Sequence, residues 1–154
     1  MAPTLYFAYG SNLWLDQMAR RCPGSIFVGV AILRDWKWFI CARGYANVIH
    51  SPGDVVHGMV YAITSAHEDS LDIYEGVPYS YVKQMHGVEM DGKVVKALVY
   101  VDVTRLEEGT IKEEYIRRMN CGISDGLDKG LPQSYIDKYL RPVIPKVEIE
   151  RGRS

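Results

Sequence analysis

The chain has 154 residues, 47% hydrophobic and 24% charged, with a formal net charge of −1, a length and balance that suit one globular domain, residues 1–154, around a single core. The near-neutral charge gives no electrostatic basis for binding nucleic acid or an anionic membrane surface, and no apolar run approaches the ~20 residues of a bilayer span. Cys22, Cys41 and Cys121 form no CxxC pair, the four histidines share no ligand spacing with them, and no secretory pattern opens the chain, so the expectation is a reduced, cytoplasmic protein without a metal site, monomeric or homodimeric.

Residues 4–9 read as a first strand, crowded with apolar side chains and broken at Gly10-Ser11-Asn12. Ser11 or Asn12 is expected to cap a short helix over LWLDQMARR that ends before Cys22-Pro23-Gly24. Residues 25–43 alternate well enough for two strands about Arg34-Asp35. A further strand over 55–63 follows a turn at Pro52-Gly53-Asp54. Ser65-Ala66-His67-Glu68 has the form of a capping box; its helix runs through Leu71 and Tyr74 until Gly76 and Pro78 stop it. Residues 81–103 form a hairpin about Asp91-Gly92, a strong two-residue turn signal. Thr110-Ile111-Lys112-Glu113 is a second capping box, opening a helix to about Gly122. Leu131-Pro132 opens a last helix that ends before Pro142, and a loose charged tail follows Pro145. Strands outnumber helices and hairpins dominate, so the fold class is α+β with a mixed, largely antiparallel sheet able to close as a small barrel with flanking helices.

Two segments have the makings of a site. A strand that runs into Gly-Ser-Asn before a helix leaves backbone N–H groups without intrachain partners. Gly10 tolerates unusual backbone angles and close approach of a ligand, and the helix dipole favours negative charge there. The same residues also make an ordinary turn with a capped helix. Glu75, at the end of the helix opened by Ser65, shares a face with Asp72. The negative end of the dipole and partial desolvation would both raise its pKa and suit it to acid/base work, although a solvated glutamate at a helix end reads no differently. Eleven tyrosines against three phenylalanines need hydroxyl partners in a polar cavity or at the surface.

YFAYGSNL at 6–13, SPGDVVHGMVYAI at 51–63, SLDIYEGV at 70–77 and GLPQSYIDKYL at 130–140 together resemble the γ-glutamylcyclotransferase family, including its AIG2-like members, in order and spacing. The resemblance implies a small closed β-barrel and a reaction that releases 5-oxoproline from a small-molecule γ-glutamyl substrate. In that reaction the substrate's own α-amine attacks its γ-carbonyl, without metal, redox cofactor or protein nucleophile. It assigns the acid/base to Glu75 and the substrate loop to Tyr6, Phe7, Ala8, Tyr9, Gly10 and Ser11, with Asn12 beside them. It places Tyr81, Tyr100 and Tyr115 as cavity-lining hydroxyls; core aromatics with rim hydroxyls would fit these positions too.

The Pro78-Tyr79-Ser80 stretch after EGV and the 41–50 segment CARGYANVIH are shorter than in animal family members, and the former is closer to the γ-glutamylamine and plant-type branches. Such loops choose the leaving group, which leaves open a γ-glutamyl amino acid, ε-(γ-glutamyl)-lysine, glutathione or a γ-glutamylated metabolite. Two rival classes are a non-catalytic binding module on the same fold and an amidase using Cys41 or Cys121. The retained Glu75 speaks against the first and the lack of a histidine partner against the second.

Overall fold

The computed structural model describes residues 3–147. In chain order these form β1 (Thr4–Ala8), a 3-10 turn (Ser11–Leu13), α1 (Leu15–Arg21), β2 (Ile26–Ile40), β3 (Ala46–Ile63) and α2 (Ser65–Tyr74). There follow β4 (Val82–Met90), β5 (Lys93–Val101), α3 (Glu113–Lys129), α4 (Gln133–Tyr135) and a π-type turn (Ile136–Leu140). The strands close into a barrel in the order β1-β3-β2-β4-β5. β1 meets β5 in parallel at Tyr6 and Leu98, and the other neighbours are antiparallel. This is the α+β class with a small closed mixed barrel and flanking helices that the sequence predicts. Closure brings β1 and β5, the two ends of the strand order, together.

The β4–β5 hairpin is as predicted. Asp91 and Gly92 take φ of 53° and 76°, the left-handed pair that a tight hairpin needs. The strand pairs elsewhere depart from the sequence reading. Residues 26–40 run as one strand, not two, and β3 begins at Ala46, not at 55. Arg34 pairs with Val55 and Trp36 with His50, so Asp35 stands opposite residues 51–54. Asp35, at φ 67°, accepts the Gly53 N–H at 3.0 Å. The turn signals at Arg34-Asp35 and Pro52-Gly53-Asp54 therefore mark a bulge within one continuous ladder.

The helix ends also differ. Thr64, not Ser65, caps α2: its Oγ1 accepts the His67 N–H at 3.2 Å, and its own N–H donates to His67 Nδ1 at 3.1 Å. The box has moved back one residue, with histidine in the place of glutamate. No side chain caps α3, which starts at Glu113 behind Lys112 and continues past Gly122 to Lys129. A Cβ at Gly122 would lie 3.0 Å from the Leu13 Cβ; the glycine lets α3 press onto the 3-10 turn instead of ending the helix. The last helical segment runs behind Pro132 from Gln133 to Leu140 and ends before Pro142 as expected, but its second part, Ile136–Leu140, is wound as a π-helix. Of the charged tail, residues 148–154 lie outside the described residues.

One close approach fixes β1 in the barrel. A Cβ at Gly58 would stand 2.3 Å from the Ala8 carbonyl oxygen, so only glycine lets β3 pass this near to the end of β1. The segment that follows, residues 9–12, inherits that position.

Candidate active site

At the end of β1 the chain is gripped from three sides. The Tyr9 hydroxyl donates to the Tyr100 carbonyl at 2.6 Å, and the Tyr9 carbonyl accepts the Trp38 indole N–H at 3.0 Å. The Ser11 N–H donates to the Tyr115 hydroxyl at 3.1 Å. A Cβ on residue 10 would lie 2.8 Å from that hydroxyl. Gly10 has φ −114°, so what the position requires is space and not a left-handed backbone angle.

Ser11 and Asn12 do not cap the helix as the sequence suggests. Gln17 Nε2 donates to Ser11 Oγ at 2.8 Å and to Asn12 Oδ1 at 2.9 Å, while Asn12 Nδ2 donates to the Tyr6 hydroxyl at 2.9 Å. The Leu15 N–H at the start of α1 is met by the Asp125 carboxylate at 2.9 Å. The positive end of that short helix is thus answered inside the protein. The Ser11 amide, expected to be open to a ligand, is already bonded to Tyr115.

A cavity of about 310 Å³ opens beside this segment. Tyr6, Phe7, Tyr9, Gly10, Ser11 and Asn12 line one side; Glu75, Tyr81, Tyr100 and Tyr115 complete the set read from the sequence. Ala8 does not line it: it is buried and paired with Met59 in the ladder, with its carbonyl against Gly58.

Glu75 stands at the C-cap of α2, where Gly76 turns the chain with φ 62°. It is partly accessible because it lines an open cavity. Burial pushes its carboxyl up to about 7, against the opposing pull of Arg21, Arg43 and Arg118. Desolvation is thus the leading cause of the shift.

The tyrosine hydroxyls fall into two groups. Tyr81 donates to the Ala46 carbonyl at 2.7 Å and Tyr100 to Asp72 Oδ1 at 2.8 Å. Those protons are committed to the protein. Tyr6 and Tyr115 instead accept, from Asn12 and from the Ser11 amide, which leaves each O–H proton available to the cavity. Burial, and then the Glu75 charge, push Tyr115 up to about 12 and Tyr6 well above its usual value. Both remain protonated donors at neutral pH.

The sequence reading missed the cations. Arg21, Arg43 and Arg118 all line the cavity, so three guanidinium groups face one carboxyl and the site favours an anionic ligand. Arg118 could have been found from its place three residues after Tyr115 on the same helix face. It lies over the Tyr115 ring at 4.9 Å and donates to Glu114, Gln17 and Ser11. Arg21 reaches Asn12 Oδ1 at 3.3 Å and lies over Tyr74 at 4.4 Å. Arg43 belongs to an irregular loop, where no periodicity announces it.

All three cysteines are buried, burial pushes Cys22 up to about 11, and it raises Cys121 as well. Among the described residues no three His, Cys, Asp or Glu side chains gather as a metal-binding group, and no helix is long and apolar enough to cross a membrane.

Residues 6–118 match the family model for gamma-glutamyl cyclotransferase, AIG2-like. A protein of Mus musculus called gamma-glutamylcyclotransferase is 32% identical, over 92% of this chain and 79% of its own. A solved structure called gamma-glutamyl cyclotransferase superposes with a TM-score of 0.78 at 31% identity, covering 88% of this chain and 85% of that one. The crystal structure of an uncharacterized Homo sapiens protein superposes with a TM-score of 0.82 at 29% identity, covering 98% and 94%.

Proposed function

The chain belongs to the gamma-glutamyl cyclotransferase, AIG2-like family, a family of enzymes, and we propose that it releases 5-oxoproline from a γ-glutamyl amide or γ-glutamyl amino acid with Glu75 as both base and acid. The observation that carries this reading is a carboxyl held near pKa 7 in the cavity that Gly10 and the tyrosine hydroxyls line. A group poised there can accept a proton in one step and return it in the next at neutral pH.

The Glu75 carboxylate removes a proton from the α-ammonium of the γ-glutamyl unit. The freed amine attacks the γ-carbonyl of the same unit, and the carbonyl oxygen takes up negative charge. The O–H groups of Tyr6 and Tyr115 supply hydrogen bonds to such an oxygen, and the Gly10 segment brings the backbone close to it. Collapse of the tetrahedral centre breaks the bond to the leaving nitrogen, which takes the proton held by Glu75; the freed carboxylate then takes the second proton of the ring nitrogen and passes it to the departing amine, which leaves as an ammonium. The ring closes as 5-oxoproline and the amine departs. The substrate supplies its own nucleophile, so the buried thiols play no part, and the positive charge of Arg21 and Arg118 favours the carboxylate that every γ-glutamyl unit carries.

The test is a panel of donors incubated with the protein and assayed for 5-oxoproline by mass spectrometry. It includes γ-glutamyl amino acids, ε-(γ-glutamyl)-lysine and glutathione. Release from at least one donor is expected; release from none makes the protein a binding module on this fold.

A further inference from the structure

Arg118 and Arg21 are engaged by side-chain acceptors within the protein. Arg43 differs. It lies over the ring of Tyr81 at 5.0 Å and of Tyr45 at 5.6 Å, and its nearest carboxylate, Asp102, stands 3.5 Å from Nε. That carboxylate is already held by the Thr104 and Arg105 N–H groups at 3.0 Å each and by Arg105 Nη1 at 3.1 Å. Among the described residues no acceptor bonds to Nε or Nη2 of Arg43, although both are shielded from solvent. Buried donors left in this way are rare and costly unless a function calls for them.

Position says what that function is. Ser11 and Asn12 are buried at 7% and 3% exposure, whereas the Arg43 side chain is 26% exposed, in the loop joining β2 to β3. The γ-glutamyl end of a ligand placed at residues 10–12 directs its leaving group outward, toward that loop. Two aromatic faces and the Asp102 ion pair hold a guanidinium there whose Nε and Nη2 make no hydrogen bond, and a guanidinium's fork matches a carboxylate.

We propose that Arg43 binds the carboxylate of the departing amino acid, and so restricts this enzyme to γ-glutamyl donors whose leaving amine carries one. The assignment rests on the cyclotransferase reading for the orientation of the ligand. It separates γ-glutamyl amino acids from γ-glutamylamines, which lack that carboxylate beside the leaving nitrogen.

γ-Glutamylalanine and γ-glutamylethylamide differ by this one carboxylate. Calorimetric titration of the Glu75→Gln protein, which binds without turning over, is expected to show the alanine compound bound roughly ten- to a hundredfold more tightly, the range for a charged hydrogen-bonded contact. Adding Arg43→Gln is expected to narrow the ratio to within about threefold, and Arg43→Lys, which keeps the charge without the fork, to leave an intermediate ratio. Equal affinities before the change at residue 43, a preference that survives it, or no binding of either compound overturns the assignment. Both arms are repeated as turnover with Glu75 intact. A preference that disappears with Arg43, in a protein that releases no 5-oxoproline, removes the cyclotransferase reading and keeps the carboxylate site. Equal release from both donors keeps the reaction and removes the site.

Discussion

Gly10 and Tyr115 define each other: a methyl group on residue 10 would stand 2.8 Å from the Tyr115 hydroxyl, and that hydroxyl accepts the Ser11 N–H at 3.1 Å. The contact ties the end of β1 to α3 across 104 residues of sequence.

Gly10→Ala should therefore destabilise the protein by about 1–3 kcal/mol, the range for overpacking a tight site, and lower activity by displacing the Tyr115 hydroxyl. Tyr115→Phe removes the atom that clashes. On that background Gly10→Ala should cost less, with a coupling of roughly 1 kcal/mol in a four-protein cycle of urea unfolding. Additive effects would show that residue 10 is not confined by Tyr115.

The rate should follow the Glu75 carboxyl. Only its ionised form can take the ammonium proton, so kcat/KM should rise with pH through an inflection near 7. An inflection near 4.5 would mean that the working carboxyl is not buried.

Stability should run the other way. The folded protein holds the Glu75 proton up to about pH 7, whereas the unfolded chain releases it near 4.5. Below pH 4.5 the group is neutral in both states and contributes no penalty. Between 4.5 and 7 the folded state binds more protons, so stability falls as pH rises; above 7 the full cost of the buried charge remains, at most about 3 kcal/mol before solvent in the open cavity screens it. Glu75→Gln removes this dependence. Denaturant midpoints taken from pH 5 to pH 8 should fall more steeply for the parent protein than for the variant; parallel curves would contradict the burial of the charge.

The parts legible in the sequence are those decided locally. Asp91-Gly92 states its hairpin because two left-handed residues suffice to make the turn. Glu75 is findable because a helix stop at Gly76 places it. What the sequence hides is decided by distant partners. Asp35 and Gly53 read as separate turns until the ladder sets them opposite each other. Ser11 and Asn12 read as caps, but Gln17, Tyr115 and Arg118 claim them in space. Ala8 sits within a motif that lines a cavity yet faces the β3 backbone. Arg43 gains its meaning from Tyr81, Tyr45 and Asp102, none of which is near it in any helical or strand period except Tyr45.

The most direct measurement is 5-oxoproline released from γ-glutamyl donors by the parent protein and by Glu75→Gln at pH 7.5. Loss of the one group that serves both proton transfers should lower the rate about 10⁴-fold, the upper end for an acid/base residue, while the circular dichroism of the variant stays that of the parent. A folded Glu75→Gln protein that forms 5-oxoproline at the parental rate would contradict the account.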